Sequence, residues 1–384
     1  MGRKVIFMTS IPFMEQHITD MYIKEISLQF KIEMWDLSKI YKCKDNVDNT
    51  YAESKKVNSL EELDSNLLNA CATDAVIVIT NILNLYLGTI FETVKKHDLQ
   101  ICCINKESFN NWLFEQGAFK YRKYYNWKAR LQAMAIHFPI TEYVLHQRQF
   151  GKYKYDYLLA SQNYYKMQCR EFIKIHHIKY DESLAANSKE RTIQEKYILF
   201  IDGAASAHPA FKDRYNSLNH RDYLSEINKY FDFVEEHLHL PIVISAHPKA
   251  MYKDDDFGGR PIYVGMTAEL IHNCEAVISH YSTSLVNVVL EYKPLQIVYY
   301  EDMLKSSFRG SMVMGLEFAE LCGANICSLE SPDKWNMEVN KQGYMNFLKK
   351  HVYNEEKMND SNAVLICNGI EKIFDDEVLK NAKK

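Results

Sequence analysis

The sequence predicts an α/β protein of two doubly wound domains, each a parallel sheet with helices on both faces. Three observations carry that expectation. Short runs of Val, Ile and Phe alternate with longer stretches whose apolar residues recur every three to four positions, the pattern of strand, helix, strand units. The alternation lapses over residues 181–195, a polar aperiodic stretch that reads as a linker, and then resumes. Several apolar runs also stop at clusters of small polar residues, as buried parallel strands do at the carboxyl edge of an open sheet.

Taken in order, Lys4-Val-Ile-Phe-Met-Thr9 reads as a buried first strand, residues 14–30 as a helix, and Ile32–Asp36 as a second strand. Further strands are expected at 74–80, 99–105, 155–160 and 172–178, which brings the first domain, residues 1–185, to its edge. A second series starts at Lys196-Tyr-Ile-Leu-Phe-Ile-Asp202-Gly203 and continues with strands at 242–246, 262–264, 276–279 and 295–300. A helix is expected from about Ser282 to Tyr292, ahead of Lys293-Pro294. The second domain spans 196–384, with a helical tail beyond 340 whose last helix packs back on the first domain, and the two domains face a cleft.

Composition excludes several classes. In a 384-residue chain that is 47% apolar and 25% charged, a globular rather than disordered protein is expected. A net charge of -4 gives no footprint for nucleic acid. No stretch has the length of a membrane span and the N-terminus reads as a strand rather than a signal peptide, so a cytoplasmic protein is expected. Nine cysteines without a CxxC pair point to reduced thiols, and Cys322 and Cys327 lack the partners of a zinc site. Asp254-Asp255-Asp256 lacks the ligand spacing of a calcium loop and reads as a solvated turn. No metal is therefore expected. The segment 119–130 mixes Tyr, Trp, Lys and Arg; it suits a solvated amphipathic helix, an acceptor surface or a peripheral contact with the inner face of the membrane.

Chemistry concentrates in the second half. Asp202, beside apolar strand ends, can have its proton affinity raised toward neutrality and serve as a general base, although Asp-Gly203 is also a common turn. His247 ends a strand, Pro248 fixes the direction of its loop, and Lys249 adds a point charge; together they suit a phosphate. His208, also followed by proline, reads as structural. Ser282, Thr283 and Ser284 precede a helix whose N-terminus favours anions, though such residues also serve simply as caps. Neither GxGxxG, GxxxxGK[ST] nor GxSxG occurs at a strand end, so dinucleotide, P-loop and serine-elbow chemistry lack support.

A strand ending in Asp202-Gly203, a His247-Pro248 strand end and a Ser282-Thr283 pair after a strand resemble the acidic-Gly, HP and S/T motifs of bacterial sialyltransferases and polysialyltransferases. The stretch Thr267-Ala-Glu269-Leu through Ser284 and Lys293-Pro294 is similar to polysaccharide-cluster glycosyltransferases and, more loosely, to CDP-glycerol glycerophosphotransferases. The resemblance implies a GT-B fold, two Rossmann-like domains, and inverting transfer of an acidic sugar (sialic acid, another nonulosonic acid or Kdo) from a CMP-linked donor to a glycan or glycolipid acceptor in capsule or lipopolysaccharide synthesis. It needs no cofactor beyond that co-substrate. It makes Asp202 the base, His247 a donor-phosphate contact, and Ser282, Thr283 and Ser284 ligands of phosphate or the donor carboxylate. Gly203, Pro248, Lys249 and Glu269, in or beside these motifs, are further substrate-binding candidates, and His176, His177 and Asp181, near the hinge, are candidates on the acceptor side. A UDP-sugar transferase, a CDP-polyol phosphotransferase and a non-catalytic glycan- or nucleotide-binding scaffold remain open.

Overall fold

The computed structural model describes residues 3–41, 53–71, 73–79, 84–105, 154–161, 169–208, 217–332, 335 and 337–381. These form two compact units, the first from residues 3–105, 154–178 and 353–381, the second from 179–352. The segment 119–130 lies outside the described residues.

The first unit holds seven strands: β1 (Lys4–Thr9), β2 (Lys31–Asp36), β3 (Lys55–Lys56), β4 (Ala75–Ile79), β5 (Gln100–Asn105), β6 (Tyr155–Ala160) and β7 (Cys169–Lys174). They pair in parallel in the order β3-β2-β1-β4-β5-β6-β7. Val5 to Met8 and Val76 to Val78 are wholly buried on both faces, which is why these strands read as unbroken apolar runs. Helices α1 (Glu15–Asp20), α2 (Ile23–Ile26), α3 (Leu60–Cys71) and α4 (Asn84–Lys95) follow. The C-terminal helix, Asn362–Asn381, belongs here: Ile366, Ile370 and Phe374 are fully buried in a core shared with Val5, Phe7, Val76 and Leu159. Burying each such side chain contributes about 1.5–3 kcal/mol.

The second unit holds β8 (Ile198–Ile201), β9 (Ile242–Ala246), β10 (Ile262–Val264), β11 (Ala276–Ser279), β12 (Leu295–Tyr299) and β13 (Asn325–Ser328), all parallel, in the order β10-β9-β8-β11-β12-β13. Its helices are α5 (Lys179–Ala186), α6 (His220–Leu238), α7 (Thr267–Asn273), α8 (Leu285–Leu290), α9 (Glu301–Lys305), α10 (Arg309–Cys322) and α11 (Lys341–Phe347). Asn219 caps α6 by accepting the Asp222 N–H at 3.1 Å, and Tyr223, Ile227, Phe231 and Val234 form its buried stripe at three-to-four spacing.

Four expectations need correction. The single helix over 14–30 is broken at Tyr22, whose φ of 56° is left-handed and cannot continue an α-helix. The strand expected at 172–178 lies three residues earlier, and His176 and His177 fall past its end. The linker expected at 181–195 is partly helix α5, with Lys179 bonded to Glu182 along its first turn. The helix expected from Ser282 begins at Leu285 and lasts six residues.

Candidate functional site: the strand tips of the second sheet

The strand order of the second sheet reverses between β8 and β11, and in open α/β sheets ligands bind outside the carboxyl ends of the strands at such a switch point. Three adjacent tips meet there. β9 ends at His247, β8 at Asp202 and Gly203, and β11 at His280 and Tyr281.

Asp202 ties β8 to β9. Its Oδ1 accepts the Ala204 N–H at 2.8 Å, its Oδ2 lies 3.4 Å from the His247 N–H, and its own N–H donates to the Ser245 carbonyl. Burial dominates its electrostatics and pushes the carboxyl up to about 6, against the downward pull of the Ala204 and His247 N–H groups and the Tyr252 hydroxyl. Tyr252 faces this carboxylate with its hydroxyl buried and no hydrogen bond of regular geometry; burial and the neighbouring carboxylate push its ionisation far up. Asp202 is therefore ionised above about pH 6, in a place where charge is poorly solvated.

The β9 tip carries a partly accessible imidazole. His247 is half-buried, and its Nδ1 accepts the Lys249 N–H at 3.1 Å, so the neutral ring carries its proton on Nε2 and presents an N–H donor. Its ring lies 4.9 Å from that of His208, at an interplanar angle of 77°. Burial lowers the proton affinity of both rings; His208 and then Lys249 add to it at His247, and Lys249 adds to it at His208. Pro248 and Lys249 are exposed. His208, which the sequence assigned to structure, stands beside His247 because the turn after β8 brings it there: Ala204 is left-handed, with φ of 52°, and its carbonyl accepts the His208 N–H at 2.9 Å.

The β11 tip is closed. His280 has no exposed surface; its Nδ1–H donates to the Val298 carbonyl at 2.6 Å and its Nε2 accepts the Tyr223 hydroxyl at 3.0 Å. Burial pushes the ring down to about 4, so it stays neutral. A Cβ at Gly203 would lie 2.7 Å from the Tyr281 carbonyl oxygen and 3.3 Å from Phe308, and one at Gly315 would lie 1.8 Å from the His280 carbonyl oxygen. Both glycines thus let backbone close on the β11 loop. Ser282 Oγ accepts the Ser284 N–H at 3.1 Å, Ser284 makes no side-chain cap, and Thr283 is exposed. Two strand spacings, about 10 Å, separate the β9 and β11 tips. His247 and the Ser282–Ser284 group therefore stand apart along the sheet edge, with the β8 tip between them.

Behind Asp202 lies a polar chain without a sequence signal. Ser206 Oγ is 2.9 Å from His220 Nδ1, His220 Nε2 is 3.9 Å from Asp256 Oδ2, and the Tyr252 ring stacks on His220 at 6.1 Å. Among 26 tyrosines, nothing in the sequence distinguishes Tyr252.

Other expected site residues have structural partners. Glu269 is bonded by Thr192 and lies 3.7 Å from Lys189 Nζ, so its carboxylate fastens the segment before β8. His176 and His177 are corrected: both are 1% exposed. His176 Nδ1 accepts the Asn354 N–H at 3.0 Å and its Nε2–H donates to the Lys357 and Asp360 carbonyls, each at 3.1 Å. The Asn362 side chain spans both residues, accepting the His176 N–H and donating to the His177 carbonyl. These bonds clamp the C-terminal segment of the first unit to the end of β7. Among the described residues no group of three or more His, Cys, Asp or Glu is arranged to hold a metal, and no helix is long and apolar enough to cross a membrane.

No family model matches the chain, and no curated protein matches it in sequence. Solved structures match along nearly its whole length. A UDP-glucosyltransferase from Polygonum tinctorium that glucosylates indoxyl is 9% identical, with 97% of this chain and 99% of that chain covered at a TM-score of 0.50. UDP-GlcNAc 2-epimerase from Methanocaldococcus jannaschii is 12% identical, with 94% and 95% covered at 0.46. UGT73P12 from Glycyrrhiza uralensis is 10% identical, with 100% and 98% covered at 0.46. The first of these likenesses is one of fold, and with two parallel α/β units in the observed strand orders it places the chain in the GT-B class of folds.

Proposed function

We propose that the protein is a glycosyltransferase that takes a sugar from a nucleotide-activated donor whose phosphate is held at the β8 and β9 tips of the second unit. The observation that carries the reading is the Nε2–H of His247, a neutral donor at a strand tip beside Lys249, next to a switch point. Hydrogen bonds to the leaving phosphate stabilise the charge that develops as the bond between the sugar and the phosphate breaks. In the same step the acceptor oxygen attacks the anomeric carbon and its proton passes to a base. Asp202 is the group for that role, since a carboxylate titrating at about 6 can take a proton at neutral pH.

A UDP-linked donor is the preferred form. The fold is shared with a UDP-glucosyltransferase, which favours a UDP-linked donor over a CMP-linked one. The Asp-Gly, His-Pro and Ser-Thr motifs favour a second reading, a CMP-linked acidic sugar delivered to a cell-surface glycan. Titration with UDP and CMP separates the two: tighter binding of UDP supports the first, tighter binding of CMP the second, and binding of neither overturns both. With donor in hand, Asp202→Asn is expected to abolish transfer while leaving nucleotide affinity within about threefold, because Asn still accepts the Ala204 N–H. Full turnover in that variant would remove Asp202 as the base.

A further inference from the structure

His208 lies seven positions past Ile201, the last residue of β8, and the chain between them is a built hook. Asp202 Oδ1 holds the Ala204 N–H, Ala204 takes a left-handed conformation rare for a residue with a Cβ, and the Ala204 carbonyl then accepts both the Ala207 and His208 N–H groups. The hook sets the His208 imidazole edge-to-face with His247, 4.9 Å between centroids, with Lys249 close enough that its charge is felt at both rings. Three basic groups from two loops converge on one sheet edge. Each basic group opposes protonation of the next while the place among them is empty, and an anion seated there would reverse that opposition.

We propose that His208 is a second ligand of the donor phosphate, forming with His247 and Lys249 one anion subsite that spans the β8 and β9 loops. The inference rests on the sugar-nucleotide reading above and adds a residue to it. Such a subsite holds a phosphate by hydrogen bonds as much as by charge, through the His247 Nε2–H and the Lys249 ammonium together with the His208 imidazole beside them.

Two substitutions distinguish a ligand from a packing partner. His208→Phe keeps an aromatic ring for the edge-to-face contact and removes the donor, whereas His208→Gln removes the ring and keeps a donor. Calorimetric titration of UDP and CMP is expected to show His208→Phe weakening the tighter-bound nucleotide roughly ten- to a hundredfold, with His208→Gln within about fivefold of wild type and the unfolding midpoints of all three proteins alike. The double variant His208→Phe/His247→Phe is expected to lose less than the product of the single losses, as members of one subsite do. Wild-type binding retained in His208→Phe, or lost in His208→Gln alone, overturns the inference and leaves the sugar-nucleotide reading standing. A wild-type protein that binds neither nucleotide overturns that reading instead.

Discussion

His280, at the tip of β11, has both ring nitrogens bonded inside the protein and no exposed surface, while His247, at the tip of β9, has one nitrogen bonded to its own loop and is half-buried. The two stand at the carboxyl edge of one sheet with β8 between them. The difference comes from what packs on each tip. Over β11 lie Tyr223, Phe200 and Phe308, all fully or nearly fully buried, and the bare Gly315 backbone. Over β9, among the described residues, lie His208 and the short turn through Pro248 and Lys249. A histidine closed in by aromatic rings fixes a loop; one left at a polar edge can meet a ligand.

The sharpest way to break the closed tip is Gly315→Ala, whose methyl group would overlap the His280 carbonyl. A loss at or above the upper end of the 1–3 kcal/mol typical of overpacking, about 3 kcal/mol, is expected in urea unfolding. His280→Ala is expected to cost about 3 kcal/mol, through the loss of ring packing and two buried hydrogen bonds. A fall below about 1 kcal/mol in either variant would show the tip to be looser than described.

Asp202, at the β8 tip between these two, has a signature in pH. The folded carboxyl holds its proton up to about 6 while an unfolded aspartate releases it near 3.8, so the folded state binds more protons between these values. Stability is therefore expected to fall as pH rises through that window and to level off above it, by about 3 kcal/mol for two pH units. Asp202→Asn should lack this decline, and chemical denaturation of both proteins from pH 4 to 7 measures the difference. Identical profiles would mean that Asp202 titrates as an exposed carboxylate does. At the open tip, His247→Ala is expected to change stability by less than about 0.5 kcal/mol, since the ring bonds only to its own loop. A larger loss would make His247 a second structural histidine.

The fold was legible where burial on both faces forces continuous apolar runs, as in Val5 to Met8, Ala75 to Ile79 and Ile242 to Ala246. It was hidden at the sheet edges. β3 is two exposed lysines, Lys55 and Lys56, and β13 is four residues opening on Asn, too short to show a period. The break at Tyr22 is a backbone conformation that no residue pattern announces. In the site, His-Pro after a β-branched run pointed correctly to a strand tip at His247. The neighbourhood of His208 was illegible because it depends on a left-handed alanine four residues earlier. Glu269 and His176 show why ionisable residues are hard to assign from sequence: such a residue reads the same whether its partner is a substrate or, as here, Thr192 or Asn354.

Selective labelling of the histidine rings with nitrogen-15 reads both tips in one spectrum. On adding UDP or CMP, whichever binds, the His247 Nε2–H resonance is expected to move while that of the His280 ring, bonded on both sides within the protein, stays in place. A nucleotide that binds and leaves His247 unmoved would contradict the assignment of the β9 tip as the phosphate site.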